Sequence, residues 1–183
     1  MSDIVIRHAE PRDAEPLRML MAHPEVYHDT LQIPYPAMEA WQEKLQPKPH
    51  TFHLVATLDD RVTGHLSLHV EPRPRRSHVA TFGMAVSAGH QGRGIGSALM
   101  REMIDLCDNW LRVDRIELTV FADNEPAIAV YKKHGFEIEG TGKRYALRNG
   151  EYVDAYYMAR MKWLIAGWRL RLTRPTFVPW LAR

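Results

Sequence analysis

Gln91, Gly92, Arg93, Gly94, Ile95 and Gly96, with Ser97 next, stand between the apolar run Val79–Val86 and an amphipathic stretch that opens at Ile95. Residues of these types at this spacing can hold a polyphosphate. Glycine lets the backbone approach an anion with no Cβ in the way. The free amides at a helix start then point at the anion, with the positive end of the helix dipole behind them. A Walker loop needs Gly-Lys followed by Ser or Thr, and no lysine follows these glycines. The dinucleotide fingerprint needs a third glycine, and counting from Gly92 and Gly94 that place is Ser97. What remains is Gln-x-x-Gly-x-Gly, with a plain glycine-rich turn between strand and helix as the alternative.

A second constellation follows the β-branched run at 116–121: Asn124, Ala127 and Tyr131, spaced as Asn-x-x-Ala-x-x-x-Tyr, then Gly135 and Phe136. Asp123 or Asn124 can cap a helix here, Pro126 is tolerated in its first turn, and Gly135 can stop it in the left-handed cap position. The two signatures, in this order, resemble the GNAT family of N-acetyltransferases. The resemblance implies that the loop from Gln91 to Ser97 binds the pyrophosphate of acetyl-CoA and that Asn124 and Tyr131 belong to the same cofactor site. It also implies that the strand ending at Val86 splays from its parallel neighbour, so that the exposed backbone of Met84, Ala85 and Val86 bonds pantetheine amides like a further strand. Without the resemblance, the alternation of Phe82, Met84 and Val86 with Gly83 and Ala85 fits an ordinary buried strand equally well.

Acetyl transfer to an amine collapses a tetrahedral intermediate and expels a thiolate, so an acid near the sulfur speeds departure. Tyr131 suits that task, because a phenol with an ordinary pKa of about 10 is protonated at neutral pH. Its other reading is an aromatic plug at the helix end. A general base is harder to name. The Val79–Val86 strand carries no carboxylate, and the flanking candidates are His69, Glu71, His78 and Glu117. A water chain is the expected route for the amine proton. No metal is expected: His65 and His69 lie in a strand-like run, where four residues span roughly 13 Å. The single Cys107 falls mid-helix, where burial is the expected role.

These residues need elements to position them. The pattern predicts a strand at 4–8, a helix at 11–22 opened by a proline, an irregular segment at 24–36 and a short helix at 37–45. A hairpin of 52–58 and 62–70 turns at Asp59-Asp60. After Val79–Val86 come a helix at 95–110, with Ile95, Leu99, Met103 and Leu106 on one stripe, a strand at 116–121 and the Asn124 helix. Strands at 137–147 and 152–161 meet at Asn149-Gly150, a strong hairpin signal. Order and number fit an α/β (α+β) GNAT fold: a mixed, mostly antiparallel sheet of six to seven strands, about four flanking helices, and a splay between the fourth and fifth strands. One N-acetyltransferase domain over 1–162 and a basic, apolar extension over 163–183 are expected.

Residues 73–78, 107–121 and 145–160 resemble more narrowly the bacterial YhhY-type amino-acid N-acetyltransferases, over about residues 2–162. That likeness implies an acetyl-CoA-dependent enzyme acting on the α-amine of a free amino acid, such as methionine or phenylalanine. Tyr27, Leu31, Ile33 and Tyr35 could wall an apolar pocket, and Arg75 or Arg76 would serve to bind the carboxylate bidentately, although solvated turn charges are the favoured reading of the two arginines. A protein or peptide N-acetyltransferase and a non-catalytic acyl-CoA-binding module are the alternatives, and intact Asn124 and Tyr131 argue against the second.

Length and composition agree: 183 residues with 45% hydrophobic content suffice for one sizeable core. One cysteine, a charged N-terminus unlike a signal peptide and no apolar run near the roughly 18 residues of a span imply a cytoplasmic chain without an integral membrane segment. Net charge is +2, but Arg169, Arg171, Arg174 and Arg183 lie in an acid-free tail, which leaves −2 on the rest and no reason to propose nucleic acid. The tail itself could lie on a membrane surface, pack on a second subunit as a homodimer, or extend freely.

Overall fold

The computed structural model describes residues 3–162, so the 163–183 extension lies outside the described residues. Seven strands form one sheet: β1 (Val5–His8), β2 (Thr51–Leu58), β3 (Arg61–Val70), β4 (Val79–Val86), β5 (Arg115–Phe121), β6 (Glu137–Arg148) and β7 (Glu151–Met161). Their order is β1-β2-β3-β4-β5-β7-β6. Every pairing is antiparallel except β4 with β5, which is parallel and covers only Val79–Thr81 against Arg115–Glu117. Beyond Thr81 the two strands part. β4 keeps β3 as far as Val86 against Gly64, and β5 keeps β7 as far as Phe121 against Ala155. The expected splay between the fourth and fifth strands is therefore a V whose vertex is the Thr81–Glu117 pair.

Among the described residues five α-helices flank the sheet: α1 (Ala14–Met21), α2 (Pro24–Tyr27), α3 (Met38–Lys44), α4 (Ile95–Asp105) and α5 (Glu125–Lys133). The one not expected is α2, in the segment taken as irregular. Pro24 at the first helical position presets φ and lacks only an amide that would have no partner. α4 continues into a π-helical turn, Leu106–Trp110, which completes the expected 95–110 span. Both tight hairpins form. Asp59 and Asp60 have φ of 49° and 59°, and Asn149 and Gly150 have 51° and 85°, the left-handed pairs that a two-residue turn between twisted strands requires.

The two sheet faces carry separate cores. On one, Leu66, Leu68, Ala80, Ile116, Leu118 and Met158 meet Leu99, Met100 and Met103 of α4 and Ile128 and Tyr131 of α5. Leu99 and Met103 are fully buried, each worth about 1.5–3 kcal/mol. α4 can come this close because Gly64 stands beneath it, where a Cβ would lie 2.9 Å from Ile95 Cγ2 and 3.1 Å from Leu99 Cδ1. On the other face, Val55 and Ala85 meet Leu17, Leu20, Val26, Trp41 and Leu45 from α1–α3 and their flanks. On that face of β5 and β7, Thr119 and Tyr157 are exposed, while Phe121 is buried beneath Arg148.

Candidate active site

The loop after β4 delivers α4 with its first turn uncapped. Gly94 is the N-cap at φ 84°, and among the described residues no side chain bonds to the helix start, so none of them claims the amides of Ile95, Gly96 and Ser97. Gly92 has φ 73°, and nothing lies within 4 Å of where a Cβ would stand on Gly92 or Gly94. Both glycines are thus required by conformation and border open space, as an anion cradle needs. Gly96 differs: a Cβ there would be 3.4 Å from Met84 Cε, so its smallness serves the packing of helix on strand. Gln91 turns back on the loop, its Nε2 donating to the Val86 carbonyl at 3.5 Å. Arg93 is exposed.

At the vertex the two signatures meet. Asn124 Oδ1 accepts from the Ala127 amide at 3.1 Å, which assigns the cap to Asn124, while Asp123 pairs with Arg148. The helix that Asn124 opens and Gly135 closes, at φ 86°, carries Tyr131 inward. The Tyr131 ring lies edge-on to Phe82, centroids 5.8 Å apart, and 6.1 Å from that of Phe136. Phe82 is the first β4 residue past the last pair with β5. Tyr131 is 7% exposed, and burial pushes its phenol up to about 12, so the proton stays on. Among the described residues the only sealed side-chain nitrogen or oxygen without a partner is His134 Nε2, so the Tyr131 hydroxyl, which bonds no protein group, is reached by solvent. Along the same gap, the backbone groups of Met84, Ala85 and Val86 that point away from β3 have no strand to bond. The glycine loop follows directly on this strand edge, and the protonated phenol stands against Phe82 where the edge begins.

The sequence model of the acetyltransferase (GNAT) family matches residues 18–136. The chain belongs to this family. It is an N-acetyltransferase, and a similar protein, the L-amino acid N-acetyltransferase AaaT of Escherichia coli (strain K12), is 67% identical over 162 residues, 88% of this chain and 100% of that one. Among solved structures, a GNAT-family acetyltransferase from Streptococcus pneumoniae superposes with a TM-score of 0.77 at 26% identity, covering 87% of this chain and 99% of that one. A second, YncA of Salmonella typhimurium with its cofactor acetyl-CoA, gives 0.74 at 21% identity over 86% and 93%, which speaks to the fold.

On the face of the GNAT sheet away from α4, cross-strand partners share a side, so Ser67 and His69 of β3, Thr81 and Gly83 of β4, Glu117 and Thr119 of β5 and Tyr157 of β7 form one floor across the vertex. No sequence reading singled out Ser67, Thr81, Thr119 or Tyr157. The available signal was small and polar residues alternating with the buried Ala80, Leu118 and Met158.

The four base candidates separate here. Both Glu117 oxygens accept guanidinium donors, from Arg76 at 2.9 Å and Arg115 at 2.6 Å. Glu71 is held at about 2 by its bonds from Arg73, too low for an effective base. His78 is exposed beyond the paired segment, while His69 lies level with Thr81 and bonds Thr51 Oγ1 at 3.2 Å. His65 partners His53 across the hairpin at 3.2 Å, and the buried Cys107 thiol is pushed up to about 12 by burial, so neither serves a metal or a nucleophile here.

The expected apolar wall is not there. Leu31, Ile33 and Tyr35 are 64%, 76% and 96% exposed, because two prolines interrupt the segment and Tyr35 takes φ 61°, which keeps it out of any packed element. A cavity of about 730 Å³ lies elsewhere, among Arg7, Met19, His23 and Arg61, and its lining includes Ser87, just past β4. Size alone does not mark the site; the unbonded strand edge does. Among the described residues no helix is long and apolar enough to cross a membrane.

Proposed function

We propose that the enzyme uses acetyl-CoA to acetylate the α-amine of a free L-amino acid in the cytoplasm, apolar ones such as methionine or phenylalanine among them. The observation that carries the transfer chemistry is the protonated Tyr131 at the vertex, beside the strand edge whose amides are unbonded. Gln91, Gly92, Arg93, Gly94, Ile95, Gly96 and Ser97 would take the pyrophosphate, with Asn124 holding the helix that presents Tyr131. The amine lone pair attacks the thioester carbonyl carbon, whose oxygen takes the electron pair and bonds to a β4 amide near Met84–Val86. The carbonyl then re-forms as the C–S bond breaks, and the thiolate takes the proton of Tyr131. The proton lost by the amine leaves through water, since no carboxylate at the vertex is free, and water returns a proton to the Tyr131 phenolate.

For the amino-acid acceptor, the support is Arg76. Its guanidinium sits on Glu117 at the vertex, half-exposed, where a substrate carboxylate can compete for it. The 67% identical relative named for L-amino acids points the same way. A second reading, acetylation of a peptide terminus, is favoured by the openness of the floor past β4. Thiol release from acetyl-CoA across free L-amino acids, their carboxamides, polyamines and short peptides separates the two. Turnover of several apolar amino acids, sharply reduced on the carboxamides, is expected; activity confined to peptides would replace the first reading with the second. Arg76→Ala should raise KM for the amino acid about 10-fold or more.

A further inference from the structure

At the edge of the sheet, two strands beyond β5, β6 departs from regular pairing. Between the pairs Gly142–Ala155 and Ala146–Val153 it places Lys143, Arg144 and Tyr145 against Asp154 alone. The bulge is pinned: Asp154 accepts Lys143 Nζ at 2.7 Å and the Arg144 amide at 2.9 Å, and Arg144 takes φ 50°. Bulges of this kind re-aim a side chain. The one re-aimed is Tyr145, which stands edge-on to Tyr157 with centroids 6.1 Å apart and planes at 85°. Gly142 makes room for this, since a Cβ there would lie 2.9 Å from the Tyr157 hydroxyl and 3.3 Å from Tyr145 Cδ2. Two rings at right angles form a corner, and Tyr157 remains 45% exposed within it.

The corner belongs to the floor. Tyr157 is the direct cross-strand partner of Thr119, which lies two residues past Glu117 on the same face and borders the gap where β4 has departed. Strand spacing is about 4.8 Å, so a group held at the gap has its next substituent over Tyr157, about the reach of an amino-acid side chain from its α-amine. We infer that Tyr145 and Tyr157 form the specificity subsite that receives the apolar or aromatic side chain of the acceptor. The exposed Leu31, Ile33 and Tyr35 offer no such enclosure. The inference rests on the amino-acid reading above. It assigns selection among acceptors to the β6 bulge and leaves the acetyl donor to the opposite face.

The test is kcat/KM for phenylalanine, methionine and alanine in wild type, Tyr157→Ala, Tyr157→Phe and Tyr145→Ala, at saturating acetyl-CoA. Tyr157→Ala should lower the value for phenylalanine and methionine about 10-fold or more while alanine stays within about 2-fold, because only the larger side chains lose buried area. Tyr157→Phe, which keeps the ring, should restore the preference. Because Tyr157 also covers Gly142, Tyr145→Ala on the edge strand is the independent variant, expected to shift the same ratio. A phenylalanine-to-alanine ratio unchanged in Tyr157→Ala and Tyr145→Ala overturns the subsite alone. A wild type that acetylates no free amino acid overturns the amino-acid reading and the subsite with it.

Discussion

Two of the buried titratable sites among the described residues invite comparison, since burial has pushed both toward their neutral forms. Tyr131 is one. The other is the pair His53 and His65, 5% and 1% exposed, with rings stacked 5.4 Å apart and Trp41 edge-on to His65 at 5.6 Å. Burial, helped by the nearby Lys44, brings His53 down to about 4 and His65 well below its ordinary value. The physics of the shifts is the same, and the consequences differ. The imidazoles satisfy each other, one nitrogen donating to the other at 3.2 Å beneath the indole. The Tyr131 hydroxyl bonds no protein group among the described residues and is not sealed from solvent. A perturbed pKa therefore marks a reacting group only where an unmet hydrogen bond and an approach path accompany it.

The contrast can be broken at several points. It presumes that Tyr131 faces a bound thioester, and the largest effect should come from removing that partner. Gly94→Glu places a side chain on a residue at φ 84° and a negative charge in the anion cradle, and should abolish acetyl-CoA binding by calorimetry. Unchanged affinity in a folded variant would end the cradle assignment. Tyr131→Phe should cut kcat about 10²-fold or more, with acetyl-CoA affinity and thermal stability nearly unchanged. Near wild-type turnover with chemistry rate-limiting would return Tyr131 to a packing role.

The histidine pair should answer in the opposite currency. His65→Ala leaves a cavity and a buried, unpartnered His53, and should cost about 2 kcal/mol or more in denaturant unfolding while kcat of the folded enzyme is kept. A large kcat loss at full stability would make the pair functional after all. Because the folded pKa of His53 lies below its unfolded value near 6.5, the unfolded chain binds more protons between them. Stability from the pair should thus be complete above pH 6.5 and decline as pH falls toward 4. Carboxylates such as Asp154, held down by Lys143, lose their contribution only lower, below their ordinary value of 3.8. The double variant His53→Gln/His65→Gln should flatten the slope between pH 6.5 and 4.5. The smallest effect is expected at His69. With water carrying the amine proton, His69→Ala should change kcat/KM by less than about 10-fold across pH 6–9, and a loss in the 10²–10⁴ range would name it the base.

Some of this was legible along the chain because its causes are local. A glycine that must take positive φ, a capping asparagine, a proline in a first turn and an Asn-Gly hairpin act within a few residues, so the glycine turn before α4, α5 and the β6–β7 turn can be read in order. The short α2 escaped because four residues carry little periodicity, and its proline reads as a breaker until the turn after it is seen. The apolar wall failed for a related reason: Leu31, Ile33 and Tyr35 have suitable side chains, but nothing in their own segment states whether another element comes to cover them.

Sequence by itself determined the family signatures, the alternation that builds seven strands, and the residue types able to bind an anion and give up a proton. Tertiary structure alone decided which of those residues meet. That β4 leaves β5 after Thr81, that Arg76 reaches Glu117 41 residues away, that His53 answers His65 and that a bulge turns Tyr145 onto Tyr157 are all matters of register between strands. Register is set by the packing of whole faces against α1–α5, and a shift of one residue would send the strand side chains among these, Glu117, His53, His65 and Tyr157, to the other side of the sheet.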